Sequence, residues 1–234
     1  MQTTTKRPPI LYLIGTALAT LIFITAIIML ASGHANWVEG WLFTLWMNTM
    51  IMANFIYLYF KNPDLLAERS KAPGSGNQKT WDKFIQGGAY FGAVLWMVVI
   101  PLDASRFGWS PAFPLWLKIA GGLMLLPALF FLQRATMDNN FLSAAVRLQS
   151  DRGQQVVSSG VYGFVRHPLY LGVLLMLISA PLLTGSLCGL GIGLIAVTVL
   201  VYRILGEEKM MQTELAGYPE YMQKVKYRLI PYIW

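Results

Sequence analysis

Two short polar clusters stand at the ends of 35 uncharged residues, Pro168 to Tyr202. The first reads Arg166-His167-Pro168-Leu169-Tyr170-Leu171-Gly172, the second Arg203-Ile204-Leu205-Gly206-Glu207-Glu208. A residue before proline is pushed out of the α region, and proline is favoured at the first helical position. His167 therefore stands just before a helix start. The unpaired N–H groups and partial positive charge of that helix end suit an anion such as a carboxylate. Tyr170, three residues on, frames the same pocket, and Gly172 permits close helix contact. In the second cluster Arg203 and Glu207 are four apart and share a helix face. Adjacent glutamates at a membrane surface repel anionic headgroups, so a cationic ligand is their natural counterweight. Each cluster taken alone also reads more plainly, as interfacial anchors with an aromatic-belt tyrosine and as an intrahelical Arg–Glu pair. Taken together they ask for a ligand of both signs: a carboxylate beside an ammonium or sulfonium, as in an amino-acid-like cofactor.

The elements that must bring these clusters together follow from length. A helix of 35 residues would span about 52 Å, against about 30 Å of hydrocarbon. The segment must turn back, and Pro181 followed by Thr184-Gly185-Ser186 supplies the break. A helical hairpin then returns Glu207 to the membrane face that holds His167. The rest of the composition agrees: 56% of the 234 residues are hydrophobic and only 12% charged, where soluble domains carry about 25% charged residues. Apolar runs cover Leu11–Ala31, Trp41–Tyr59, Phe84–Leu102, Leu115–Leu132, Pro168–Leu183 and Ser186–Tyr202. Lys118, near the start of the fourth, can snorkel to the interface. The first run is longer than a signal-peptide core and reads as a retained span. The expected fold is an all-α integral membrane protein: four transmembrane helices plus a C-terminal helical hairpin. Its cytoplasmic cofactor pocket would be built from loops and a C-terminal amphipathic helix.

The net charge of +7 does not point to nucleic acid. With an inside N-terminus and six crossings, inside segments hold 16 of the 18 Lys and Arg residues, and only Arg106 and Lys118 fall outside. That asymmetry puts both termini in the cytoplasm, with membrane lipids as the neighbours of the basic face. One cysteine and two histidines leave no intrachain disulfide, no thiolate metal cluster and no expected histidine metal site.

Three stretches lie between or after the spans. Lys61–Lys83, with its turn Ala72–Asn77, reads as a connector. In Gln133–His167, Phe141 to Leu148 has helix-like apolar spacing and predicts a short surface helix. Val156 to Tyr162 reads as β-like or irregular, ending in a glycine turn. From Glu207 to Trp234 a partial helical stripe is interrupted at Pro219 and resumes through Tyr221, Val225 and Leu229.

The residues from Val156 to Gly172 (VVSSGVYGFVRHPLYLG), Arg203 to Glu208 (RILGEE) and Tyr218 to Pro231 (YPEYMQKVKYRLIP) carry a resemblance. The chain resembles the isoprenylcysteine carboxyl methyltransferase family, with its bacterial relatives and the related phospholipid N-methyltransferases. The resemblance covers roughly residues 135–234. It implies an integral membrane enzyme that uses S-adenosylmethionine on a lipophilic or lipid-linked acceptor, in a bacterial inner membrane. It also implies roles. Val157, Gly160, Tyr162, His167 and Tyr170 would line the cofactor pocket, Glu208 would hold the cofactor's ammonium, and Arg166 and Arg203 would sit towards the acceptor's reactive end. Gln154 stands where the family often has histidine; it can hydrogen-bond but cannot titrate near neutrality. The family's Phe-Gly before its first tail tyrosine is out of register here, so no role passes to Tyr218. The implied division is a four-helix membrane region, 1–132, and a cofactor-binding region, 133–234, that includes the hairpin 168–202.

The acceptor stays open among carboxylate, amine and thiol. A carboxylate is ionised near pH 7 and needs no base; an amine or thiol must lose a proton, and Glu207 is the nearest candidate. A non-catalytic transporter or scaffold is the rival. It would be expected to place polar groups near the bilayer midplane, where only Asn48 and Asn54 stand out.

Overall fold

The computed structural model describes residues 9–71, 74 and 77–234. Lys6, Arg7 and most of the turn Ala72–Asn77 lie outside them. Every regular element among the described residues is helical: α1 Ile10–Ser32, α2 Val38–Lys61, α3 Pro63–Arg69, α4 Thr80–Pro101, α5 Leu115–Asp138, α6 Pro168–Thr184, α7 Leu187–Glu214 and α8 Tyr218–Lys224. A π-helical turn, Leu102–Phe107, extends α4. Five helices (α1, α2, α4 with its extension, α5 and α7) are long and apolar enough to cross a membrane, and α6 is a shorter apolar helix. Their starts follow the apolar runs to within a few residues, because sustained hydropathy is the strongest signal such a chain carries, but α5 runs on to Asp138 and α7 to Glu214, past the ends of their runs at Leu132 and Tyr202.

The α6–α7 hairpin forms as expected. Its break, however, is Gly185 at φ 83°, while Pro181 sits inside α6. The Gly185 N–H is bonded to the Pro181 carbonyl, so the turn is a left-handed helix cap of the kind glycine favours. Pro168 opens α6 at its first turn, after His167 at φ −123°. Along its length α6 lies against α5. A Cβ at Gly172 would come within 2.9 Å of the Leu132 nitrogen, and one at Gly121 within 2.4 Å of the Leu183 nitrogen. These two close approaches fix α6 on α5 from both ends.

At the end away from the clusters, Asp103 ties the loops together. Its Oδ2 accepts from Ser110 Oγ (2.7 Å), Ser186 Oγ (2.6 Å) and the Cys188 N–H (3.1 Å). Lys118 is paired with Glu39 at 2.6 Å, a partner for the lysine read above as snorkelling. Asn48 and Asn54 serve helix packing, donating to Thr25 Oγ1 and Thr136 Oγ1, each at 3.1 Å.

Two predicted helices are corrected. Phe141 to Leu148 forms none. Its carbonyls and N–H groups are taken up by side chains instead: Leu142 O by Arg69, Ala144 O by Gln86 and Arg203, Phe141 O by Gln149, and the Val146 N–H by Asp82. The C-terminal helix is only Tyr218–Lys224, and Pro219 opens it rather than interrupting it. Beyond Val225 the chain extends so that Tyr227 O and Arg228 O accept from the Arg166 and His167 N–H groups at 2.9 Å each. That pairing lays the C-terminus over the entrance to α6.

Candidate functional site

Closing the hairpin brings the two sequence clusters into contact. Tyr170 Oη donates to Glu207 Oε2 at 2.8 Å, and His167 Nε2 lies 3.1 Å from Glu208 Oε1. The His167 and Tyr170 rings stack at 5.6 Å, and the Arg203 guanidinium sits 5.9 Å from the Tyr170 ring centre, within cation–π range.

A cavity of about 410 Å³ opens beside this contact, within the usual size of small-molecule sites. Gln154, Val157, Tyr162, Arg166, His167, Tyr170, Arg203 and Glu207 all line it. Gly160 and Glu208 do not. Gly160 has φ 59°, and a Cβ there would strike the Asp138 carboxylate at 2.0 Å. That carboxylate accepts the Val161 N–H at 2.9 Å. The glycine thus shapes the turn that carries Tyr162 rather than touching the cavity.

Glu208 is fully buried behind the wall. Its Oε1 accepts from Arg166 Nε at 2.7 Å, and its Oε2 from Arg228 Nε at 2.8 Å. Arg166 also donates to the Val225 and Lys226 carbonyls, both at 2.8 Å. The anion that meets the α6 entrance is therefore the chain's own Glu208, which clamps the C-terminal segment to α6. The carboxylate exposed to the cavity is its neighbour Glu207. Among the described residues no Lys, Arg or His nitrogen lies within 4 Å of it; its bond comes from Tyr170.

Arg203 does not pair with Glu207 on its own helix. Its Nε donates to Asp82 Oδ1 at 2.9 Å and its Nη2 to the Ala144 carbonyl at 2.6 Å. Asp82, fully buried at the start of α4, also accepts from Gln78 Nε2 and the Val146 N–H, both at 2.7 Å. The bond links α4, α7 and the loop that walls the cavity.

Sequence reasoning missed several wall residues: Arg69 on α3, Gln86 and Tyr90 on α4, Asn139, and the tail tyrosines Tyr218 and Tyr221. Arg69, Gln86 and Tyr90 precede residue 133, so the cavity draws on both regions of the expected division. Tyr221 Oη donates to the Tyr162 carbonyl at 2.7 Å. The Tyr218 hydroxyl is buried with no hydrogen-bond partner among the described residues. Burial, with Glu208 and Glu207 nearby, pushes its pKa up, so it stays protonated and able to donate. An orphaned hydroxyl on a cavity wall is a group that a ligand would satisfy. Its signal was the tail motif, in which the shifted Phe-Gly register concealed it. Gln154 holds its own turn, with its Oε1 accepting the Gln149 N–H at 2.8 Å.

Among the described residues no cluster of three or more His, Cys, Asp or Glu side chains suits a metal ion.

Comparison with known proteins agrees with this geometry. Residues 119–213 match the family model of the isoprenylcysteine carboxyl methyltransferase (ICMT) family. A solved structure of the eukaryotic intramembrane Ras methyltransferase ICMT superposes with a TM-score of 0.53. It shares 19% identity and covers 96% of this chain and 85% of its own. The Delta(14)-sterol reductase TM7SF2 of Mus musculus is 36% identical over 89 residues, 35% of this chain. The match spans only 20% of that relative's length. Residues 119–213, most of α5 and the hairpin, are thus what is similar in sequence to the isoprenylcysteine carboxyl methyltransferase family, and the chain shares its overall fold with the solved ICMT structure.

Proposed function

We propose that the protein is an integral membrane methyltransferase that binds S-adenosylmethionine in the cavity beside the hairpin and methylates a lipophilic acceptor, in the manner of isoprenylcysteine carboxyl methyltransferases. The observation that carries this reading is the pairing on one cavity wall of a carboxylate, Glu207, that has no cation within 4 Å among the described residues, with a hydroxyl, Tyr218, that has no hydrogen-bond partner among them. A cofactor with an ammonium, a sulfonium and hydrogen-bonding groups fits that wall. The bound cofactor would supply an electrophilic methyl group.

The chain's own residues would do the rest. Glu207 would face the cofactor's positive charge, held in place by Tyr170. Tyr218 would donate to the cofactor, and His167, Val157 and Tyr162 would shape its seat. Arg203, fixed by Asp82, would keep positive potential at the acceptor side. For an ionised acceptor the residues need only align the partners and stabilise developing charge. For an amine, Glu207 would take the proton. The charge asymmetry of the loops supports both termini lying in the cytoplasm.

A second reading, a reductase acting on a sterol-like substrate, rests on the identity to the Delta(14)-sterol reductase. It would require a hydride donor such as a reduced nicotinamide dinucleotide. Calorimetry on purified protein separates the two. Binding of S-adenosylmethionine and not of the dinucleotide supports the methyltransferase; the reverse result overturns it. Labelled methyl transfer into membrane extracts then identifies the acceptor.

A further inference from the structure

Three guanidinium groups line the cavity: Arg69, Arg166 and Arg203. Two are neutralised by the protein itself, Arg166 by Glu208 at 2.7 Å and Arg203 by Asp82 at 2.9 Å. Arg69 differs. Among the described residues no carboxylate oxygen lies within 4 Å of it. Its hydrogen bond runs from Nη1 to the Leu142 carbonyl at 3.2 Å, which leaves most of its five donors unused.

Arg69 is also held still. The short helix α3 starts with Pro63 and is capped by Asn62, whose side chain accepts the Leu65 N–H at 3.1 Å. Leu65 is fully buried. The adjacent Glu68 is gripped by two parallel bonds from Arg147, at 2.8 and 2.9 Å. A side chain on such a mount can present its planar fork to a ligand with little loss of freedom.

The surroundings define what it would meet. Arg69 lies near enough to the Tyr90 and Tyr162 phenols to interact with both electrostatically, and burial pulls its own pKa down, as for a cation without a counter-ion. Ala89, Tyr90, Val173 and Leu200 give the cavity an apolar wall from three membrane-length or apolar helices. Tyr90, on the membrane-length helix α4, is half exposed. A free cation beside that apolar wall suits an amphiphile: an oxyanion at the guanidinium with a chain running into the bilayer.

We propose that Arg69 is a specificity-determining residue that receives the anionic group, a carboxylate or phosphate, of the amphiphilic acceptor. This deepens the methyltransferase reading and rests on it. Arg203 is then a fixed part of the wall, and Glu207 and Arg69 are the two charges left for ligands, one for the cofactor and one for the acceptor.

The test uses binding rather than turnover, with the full chain in neutral phosphatidylcholine nanodiscs. The probes are an S-isoprenyl N-acetylcysteine, its carboxamide and an isoprenyl phosphate, each titrated without cofactor and again with S-adenosylhomocysteine. The wild-type protein is expected to prefer an anionic probe to the carboxamide by about tenfold or more. A carboxylate preference points to a carboxylic acceptor and a phosphate preference to a lipid headgroup; either supports the proposal. Arg69→Gln should abolish the preference while carboxamide affinity, which reports folding, is unchanged, and Arg69→Lys should restore part of it. A wild type without preference, or an Arg69→Gln protein that keeps it, overturns the proposal. So does an Arg69→Gln protein in which S-adenosylmethionine affinity falls and the acceptor preference survives, since Arg69 would then hold the cofactor's carboxylate. Failure of the methyltransferase reading shows separately, as absent S-adenosylmethionine binding by the wild type.

Discussion

Tyr170 donates a 2.8 Å hydrogen bond to Glu207 across the α6–α7 hairpin. Together with the bonds of Glu208 to Arg166 and His167, this contact joins the two polar clusters that the sequence separates by a helical hairpin. It also settles which of the adjacent glutamates faces the cavity. Glu207 faces inward with the Tyr170 hydroxyl as its hydrogen-bond partner among the described residues, while Glu208 turns back into Arg166, His167 and Arg228.

The two glutamates should therefore fail in different ways. Glu208→Gln leaves the buried Arg166 without its counter-charge, and breaking such a pair costs roughly 3–5 kcal/mol. It should show as a large loss of thermal stability in detergent. Glu207→Gln should leave the melting temperature nearly unchanged and weaken S-adenosylmethionine binding by about 10- to 150-fold, the loss of one charge-assisted contact. Equal destabilisation by both changes would contradict the geometry.

The spans and most of their starts were legible because each apolar run is sustained over about the length a crossing needs. The hairpin was legible from the mismatch between 35 uncharged residues and the bilayer thickness. The choice between Glu207 and Glu208 was not. Consecutive helix residues point about 100° apart, so the rotation of α7 decides which one reaches the cavity, and that rotation is set by packing on α4 and α6. Asp82 and Arg69 were invisible for a related reason. Their roles come from pairings more than 70 residues distant in sequence (Asp82 with Arg203, and Glu68 beside Arg69 with Arg147), and nothing in their local sequence marks them.

Gly172→Ala should loosen the site from a distance. The new methyl would meet the Leu132 nitrogen at 2.9 Å and the Ala128 carbonyl oxygen at 3.1 Å, backbone atoms of α5 that cannot rotate away. Overpacking of this kind costs typically 1–3 kcal/mol. Because α6 carries Tyr170 and follows directly on His167, cofactor affinity should fall along with the melting temperature. Gly191→Ala, where a Cβ meets nothing within 4 Å, is the matched control and should be silent in both measurements.

The Glu68–Arg147 lock should show in the pH dependence of stability. Burial alone would raise the Glu68 carboxyl, but hydrogen bonds from Arg147 and Lys71 outweigh it and hold its pKa at about 2, against 4.5 for the free group. A depressed carboxylate contributes stability that is complete above the unfolded value and is lost as pH falls through the folded one. Melting temperature should thus decline as pH drops from about 4.5 towards 2. Glu68→Gln should be less stable at neutral pH and show a shallower acid decline. An unchanged acid slope would remove Glu68 as its source.

Arg203 gives the most discriminating prediction, because Asp82 holds it. If Arg203 served only as a mobile clamp for a ligand, Asp82→Asn would release it and could even raise ligand affinity. The structure makes the pair one unit: Asp82 fixes the guanidinium under the Tyr170 ring while Gln78 and the Val146 N–H fix Asp82. Asp82→Asn should then lower methyl transfer nearly as much as Arg203→Ala, and the double variant should be little worse than either. A double-mutant cycle on turnover should show strong coupling between the two sites, about 1–3 kcal/mol. Arg203→Lys should recover little, since lysine cannot reach both Asp82 and the Ala144 carbonyl with one planar fork. Cofactor binding, measured beside turnover, should stay within a few-fold of wild type in all of these proteins. Additive losses in the cycle would show that Arg203 acts independently of Asp82, directly on a ligand.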